Sequence, residues 1–244
     1  NAEEPMQGTS KEKIAAFTDE IARLTGRLND THSKKHKNSD SYTILKEKID
    51  SYIKPGKTAS VDELKNALKD LNAAADDYLK DHANEKPGWF TTFGKARQER
   101  IKTCARIKVM NQLVAEGISY DSPVGRTRML ACKLVCAEYV AKGYTNGFKA
   151  LCQNGAIEEA IQNKLDDPSF KKVAAQVVNK KDAYDMLVKM RGDKCLTACN
   201  EMVKTMKKNV EVKEEVKKET SDVSVPDDET SPFSEELETV VSPD

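Results

Sequence analysis

"SKEKIAAFTDEIARLTGRL", residues 10–28, sets the reading of the whole chain. Ile14, Phe17, Ile21, Leu24 and Leu28 recur at steps of three and four. That is the period of an amphipathic α-helix, with charged residues filling the opposite face. The same steps return at Tyr42, Leu45, Ile49 and Ile53, and at Leu64, Leu68, Leu71, Ala75, Tyr78 and Leu79. No alternation of period two is long enough for a sheet. The fold class expected is all-α, a multi-helix bundle of eight or nine helices.

Punctuation places the boundaries. Pro55–Gly56 stops one helix, because proline cannot continue it. Ser60 with Glu63 three residues on is a capping box for the next. Thr92 reads as the cap of a helix to about Glu116. Ser122–Pro123 opens another to near Gly143, with serine as cap and proline in the first turn. Short helices are expected over 145–153 and 156–165. Asp167–Pro168 opens one to about Val178, and Asp182 opens another that Arg191–Gly192–Asp193 interrupts. Residues 194–208 close the body.

The 244 residues carry 40 Lys+Arg and 40 Asp+Glu. The balance is uneven along the chain. From Glu219 to Asp244 there are nine acids and no Lys or Arg, so residues 1–218 carry 40 basic against 31 acidic, a charge of +9. The domains expected are a flexible N-terminus over 1–9, a helical body over 10–208 with a subdivision near 117–122, and a disordered acidic tail over 209–244. The tail is too poor in apolar residues to offset chain entropy. No apolar run approaches the roughly 18 residues of a membrane span. A cytoplasmic location is expected, or a secreted one if a leader preceded Asn1.

Six cysteines include two pairs four residues apart, Cys132 with Cys136 and Cys195 with Cys199. On a helix, that spacing leaves Cβ atoms about 5–6 Å apart, too far for a disulfide within the pair. Each pair continues an apolar stripe, so the expected role is a small core residue. The alternative is oxidation between facing helices, Cys132–Cys199 and Cys136–Cys195. The zinc-knuckle spacing is absent, and no metal site is expected. His32 and His36 lie in a lysine-rich polar break, and His82 reads as a cap at a helix end. No catalytic set and no cofactor motif can be argued.

"EKPGWFTTFGKARQERIK", residues 85–102, holds the single tryptophan. Trp89 and Phe93 read as an aromatic anchor at a helix entrance. Gly94, Lys95, Arg97, Lys102 and Arg106 form the candidate anion site. Lys95, Lys102 and Arg106 share one helix face, and a glycine at a helix start bares amide groups that attract anions. "GRTR", residues 125–128, repeats that flavour.

Residues 42–113 run from a Y-x2-L-x3-I-x3-I helix to "YLKDHANEKPGWFTTFGKARQERIKTCARIKVMNQLV". Tyr78, Leu79, His82, Gly94, Lys95, Arg97 and Leu113 carry a resemblance to helical segments of large uncharacterised bacterial proteins. It covers about a third of the chain. It implies a helical building block and brings no activity. The function expected is a non-enzymatic protein-interaction or structural module, with another protein as partner. The alternative is binding of nucleic acid or another polyanion through the basic helix 95–108, with the acidic tail as competitor.

Overall fold

A computed structural model describes residues 11–30, 39–52, 60–83, 95–143 and 147–222. Among them are nine α-helices and no strand. They are α1 Lys11–Asp30, α2 Asp40–Tyr52, α3 Val61–Ala83, α4 Lys95–Ala115, α5 Pro123–Ala141, α6 Ala156–Asp166, α7 Pro168–Val177, α8 Lys181–Lys189 and α9 Gly192–Asp222. A 3-10 turn, Phe148–Cys152, lies between α5 and α6.

The stripes read from sequence become the core. Phe17, Ile21, Leu24 and Leu28 of α1 are fully buried, as are Leu45 and Ile49 of α2 and Leu64 and Leu68 of α3. Each such side chain contributes about 1.5–3 kcal/mol on leaving water. Helix α1 packs on α2 and α4, while α3 packs on α2 and α4, which closes a four-helix bundle. Helix α5 then packs on α4 and carries α6, α7 and α8.

Helix α4 is buried on more than one side. Ile101, Cys104, Ala105, Ile107, Val109, Met110, Leu113 and Val114 are all in the core. They do not make one stripe, because α4 meets α1, α3 and α5 at once. A bundle's middle helix needs apolar residues around most of its circumference.

Local chemistry fixes the helix starts. Ser60 Oγ accepts from Glu63 N at 3.2 Å, and Ser60 N donates to Glu63 Oε2 at 3.4 Å. Ser60→Ala removes the cap of α3 and is expected to cost about 1 kcal/mol. A thermal melt should then fall by roughly 2–4 °C. An unchanged melt would show that α3 starts without help from its cap. Asp167 Oδ1 accepts from Ser169 N at 3.0 Å ahead of Pro168.

Three expectations change. The helix drawn over 145–153 is only the short 3-10 turn; Gly143 has φ 81° and Gly155 φ 74°, and these bracket it. His82 does not stand at the surface as a cap. It is buried in the last turn of α3, its ring stacked on Tyr78 at 5.9 Å. Residues 209–222, assigned to a disordered tail, continue α9 as helix. Their Lys and Glu are good helix formers, and Glu214 with Lys218 has the favourable four-residue order. Residues 223–244 and 1–10 lie outside the described residues. Residues up to Glu201 form one compact unit, and the turn at 116–122 lies inside it. A second unit begins at Met202, within α9. No helix among the described residues is long and apolar enough to cross a membrane.

Candidate functional site

The residues marked from sequence meet different fates. Trp89, Phe93 and Gly94, like His32 and His36, lie outside the described residues. Lys95 opens α4, and Arg97, two residues on, is partly buried. Lys102 Nζ donates to Glu99 Oε1 at 3.2 Å and is mostly covered. Arg100 lies over the Tyr42 ring, its Cζ 3.7 Å from the centroid. Lys108 is buried, its Nζ paired with Asp76 and with Glu158 Oε1 at 2.8 Å. Burial alone would lower its pKa, but the hydrogen bonds to Asp76 and Glu158 hold it above the ordinary lysine value.

The start of α5 takes a different form from an open amide nest. Gly125 N donates to Ser122 Oγ at 3.1 Å. A Cβ at Gly125 would stand 2.4 Å from the carbonyl oxygens of Ser119 and Tyr120. The glycine serves a close backbone crossing, and the two oxygens present negative charge there. Arg128 pairs with Glu116, and Arg126 Nη1 donates to Val178 O at 3.1 Å.

All six cysteines are buried free thiols. Each four-residue pair hydrogen-bonds within itself, and the cross-helix bridges Cys132–Cys199 and Cys136–Cys195 are not formed. The neighbouring Cys136 thiol and burial raise the Cys132 pKa, and the contact with Cys132 lowers that of Cys136. The contact with Cys195 and burial raise the Cys199 pKa, whereas the contact with Cys199 and the Lys133 charge lower that of Cys195. Among the described residues no group of three or more His, Cys, Asp or Glu could hold a metal ion.

Two cavities lined by described residues carry charged groups. The larger, about 420 Å³, lies among α3, α4, the 3-10 turn and the start of α6. Lys108 sits in its wall with Asp76, Asp77 and Glu158. Its ammonium is held between two carboxylates, and Asp76, Asp77 and Glu158 against Lys80 and Lys108 leave the lining one negative charge in excess, so this cavity does not suit an anion.

The smaller, about 140 Å³, gathers residues from distant parts of the sequence. Helix α1 supplies Glu20, Arg23 and Arg27; α4 supplies Arg106; α5 supplies Arg126 and Lys133. Tyr120 and Asp121 come from the turn, and Tyr184 and Asp185 from α8. Glu20 is buried and pairs with Arg23. Burial, then the Glu20 charge, keep Tyr120 and Tyr184 protonated far above the ordinary phenol range. Lys133 Nζ donates to Val188 O at 2.8 Å. Burial and the nearby Arg106 and Lys102 hold its pKa below the ordinary lysine value. Arg106 was marked from sequence; most of the residues around it were not, because they lie up to 86 positions away in the chain, on other elements.

One further surface stands out on α9. Residues 207–220 are all exposed, and they include Val210, Val212 and Val216. At about 100° per residue, Met202, Met206, Val210 and Val216 share an arc of about 120°. No protein-family model, no curated protein and no solved structure matches the chain.

Proposed function

We propose that the chain is a non-enzymatic helical protein-interaction module, and that the C-terminal part of α9 is its recognition element. The reading rests on one observation. Val210, Val212 and Val216 are 51%, 51% and 54% exposed on a helix that continues 21 residues past Glu201. Most helical stability in proteins comes from packing an apolar face, so a packed partner would add to the stability of this exposed stretch. An amphipathic helix laid into an apolar groove is a common mode of peptide recognition, read as anchors at helical spacing. Met202, Met206, Val210 and Val216 have that arrangement, and the flanking Lys and Glu keep the unbound helix in water. The partner is another protein with an apolar groove.

The test is capture from extract of the source cell, using the parent chain and a Val210→Asp, Val216→Asp chain. A partner retained by the first and lost by the second, with both chains melting alike, supports the reading. Equal capture by both would contradict it.

Polyanion binding through α4 is the second reading. Lys102 faces Glu99, Lys108 is buried between carboxylates and Arg100 covers Tyr42. Those contacts leave fewer open cations on 95–108 than its composition promises. Retention on nucleic acid that falls steeply with salt would favour this reading over the first.

A further inference from the structure

The 140 Å³ cavity brings together five cations, Arg23, Arg27, Arg106, Arg126 and Lys133, and three carboxylates, Glu20, Asp121 and Asp185. Five against three leaves two positive charges in excess. Glu20 is committed to Arg23, which is itself largely exposed at the rim. Two of the deeper cations donate to backbone carbonyls, Arg126 to Val178 O and Lys133 to Val188 O, and Arg126 also lies 5.9 Å from the Tyr184 ring centroid. Arg106 Nη1 is buried and has no hydrogen-bond partner among the described residues. A buried cationic donor left without an acceptor is costly, so folds rarely keep one without a purpose.

We propose that this cavity binds a phosphate group, either as inorganic phosphate or as the terminal group of a small phosphate monoester. Arg106 and Lys133 are its principal donors. The charge fits, since a dianion cancels the excess of two. The donors fit as well: guanidinium forks match tetrahedral oxyanions with paired hydrogen bonds, and the Tyr184 hydroxyl remains protonated beside them, while the Tyr120 hydroxyl is engaged by Glu20. Size limits the ligand, because 140 Å³ holds roughly four or five waters at about 30 Å³ each. A phosphate and its immediate ester carbon fill such a space, whereas a duplex backbone does not enter it.

Titration calorimetry on the full chain at constant ionic strength tests this, with inorganic phosphate, phenyl phosphate and acetate as separate ligands in a chloride buffer. One binding site for phosphate or phenyl phosphate is expected, with acetate much weaker. Tighter phenyl phosphate assigns the site to an ester, and tighter inorganic phosphate assigns it to the free ion. Arg106→Gln and Lys133→Met should each weaken binding at least about tenfold, since a charged hydrogen bond is lost. Without phosphate, both variants should melt at or above the parent temperature, because an uncompensated buried cation has gone. A merely structural arginine or lysine would give the opposite sign. No binding of either phosphate compound, binding unchanged in both variants, acetate as tight as phosphate, or variants that melt well below the parent would each overturn the proposal.

Discussion

Tyr42→Ala should lower stability by about 5 kcal/mol, the largest effect expected of any single truncation in the bundle. Tyr42 is 1% exposed and touches three elements beyond its own helix. Its hydroxyl donates to Leu28 O at 3.0 Å, in the last turn of α1. Its face carries Arg100 of α4 at 3.7 Å, and its edge meets Tyr78 of α3 at 6.5 Å. Loss of a buried aromatic ring costs about 3–5 kcal/mol, the hydrogen bond about 1, and the cation–ring contact about 0.5–2. These contributions overlap, which sets the total nearer 5 than their sum. Tyr42→Phe keeps the ring and should cost only about 1 kcal/mol. Thermal melts should fall by roughly 10–20 °C for alanine and by a few degrees for phenylalanine. Similar melts for the two variants would show that the ring does not join the helices.

Gly125→Ala is expected to cost about 3 kcal/mol, although alanine is the better helix former. Its Cβ would stand 2.4 Å from two backbone oxygens and 2.8 Å from the Tyr120 carbonyl carbon. None of these atoms can rotate aside, so α5 or the turn must move, and overpacking of this kind costs about 1–3 kcal/mol or more. Gly26→Ala is the internal control. It lies within α1 with nothing within 4 Å of its Cβ, and should stabilise by about 0.5–1 kcal/mol. Urea melts of the two variants should therefore move in opposite directions. Equal shifts would mean that the crossing at 119–125 is looser than its geometry implies.

Much of the fold was legible because it rests on local rules. The stripe Phe17, Ile21, Leu24 and Leu28 is buried as its spacing requires, and Ser60, Ser122 and Asp167 cap the helices they precede. The failures have a common cause, which is tertiary context. His82 looks polar and terminal in sequence, yet Tyr78 four residues earlier offers it a stacking partner in the core. Gly125 looks like an anion-binding glycine until the carbonyls of Ser119 and Tyr120 fold back upon it. Residues 209–222 are poor in apolar residues apart from three exposed valines but not in helix propensity, so composition alone mistook a solvated helix for coil. The phosphate cavity was the least legible feature. Arg106 was visible as part of a basic helix, but Arg27, Arg126 and Lys133 join it only through the packing of α1, α4 and α5.

The interaction role of α9 is tested most directly by two chains that differ only in that helix, one ending at Asp222 and the other at Lys208. Residues 207–220 are exposed, so their removal should leave the melting temperature within about 2 °C, less than the shift expected of 1 kcal/mol. Capture of the partner should persist in the longer chain and vanish in the shorter. A shorter chain that captures the partner as well as the longer one, or that melts many degrees lower, would contradict the account and make the end of α9 a structural element of the body.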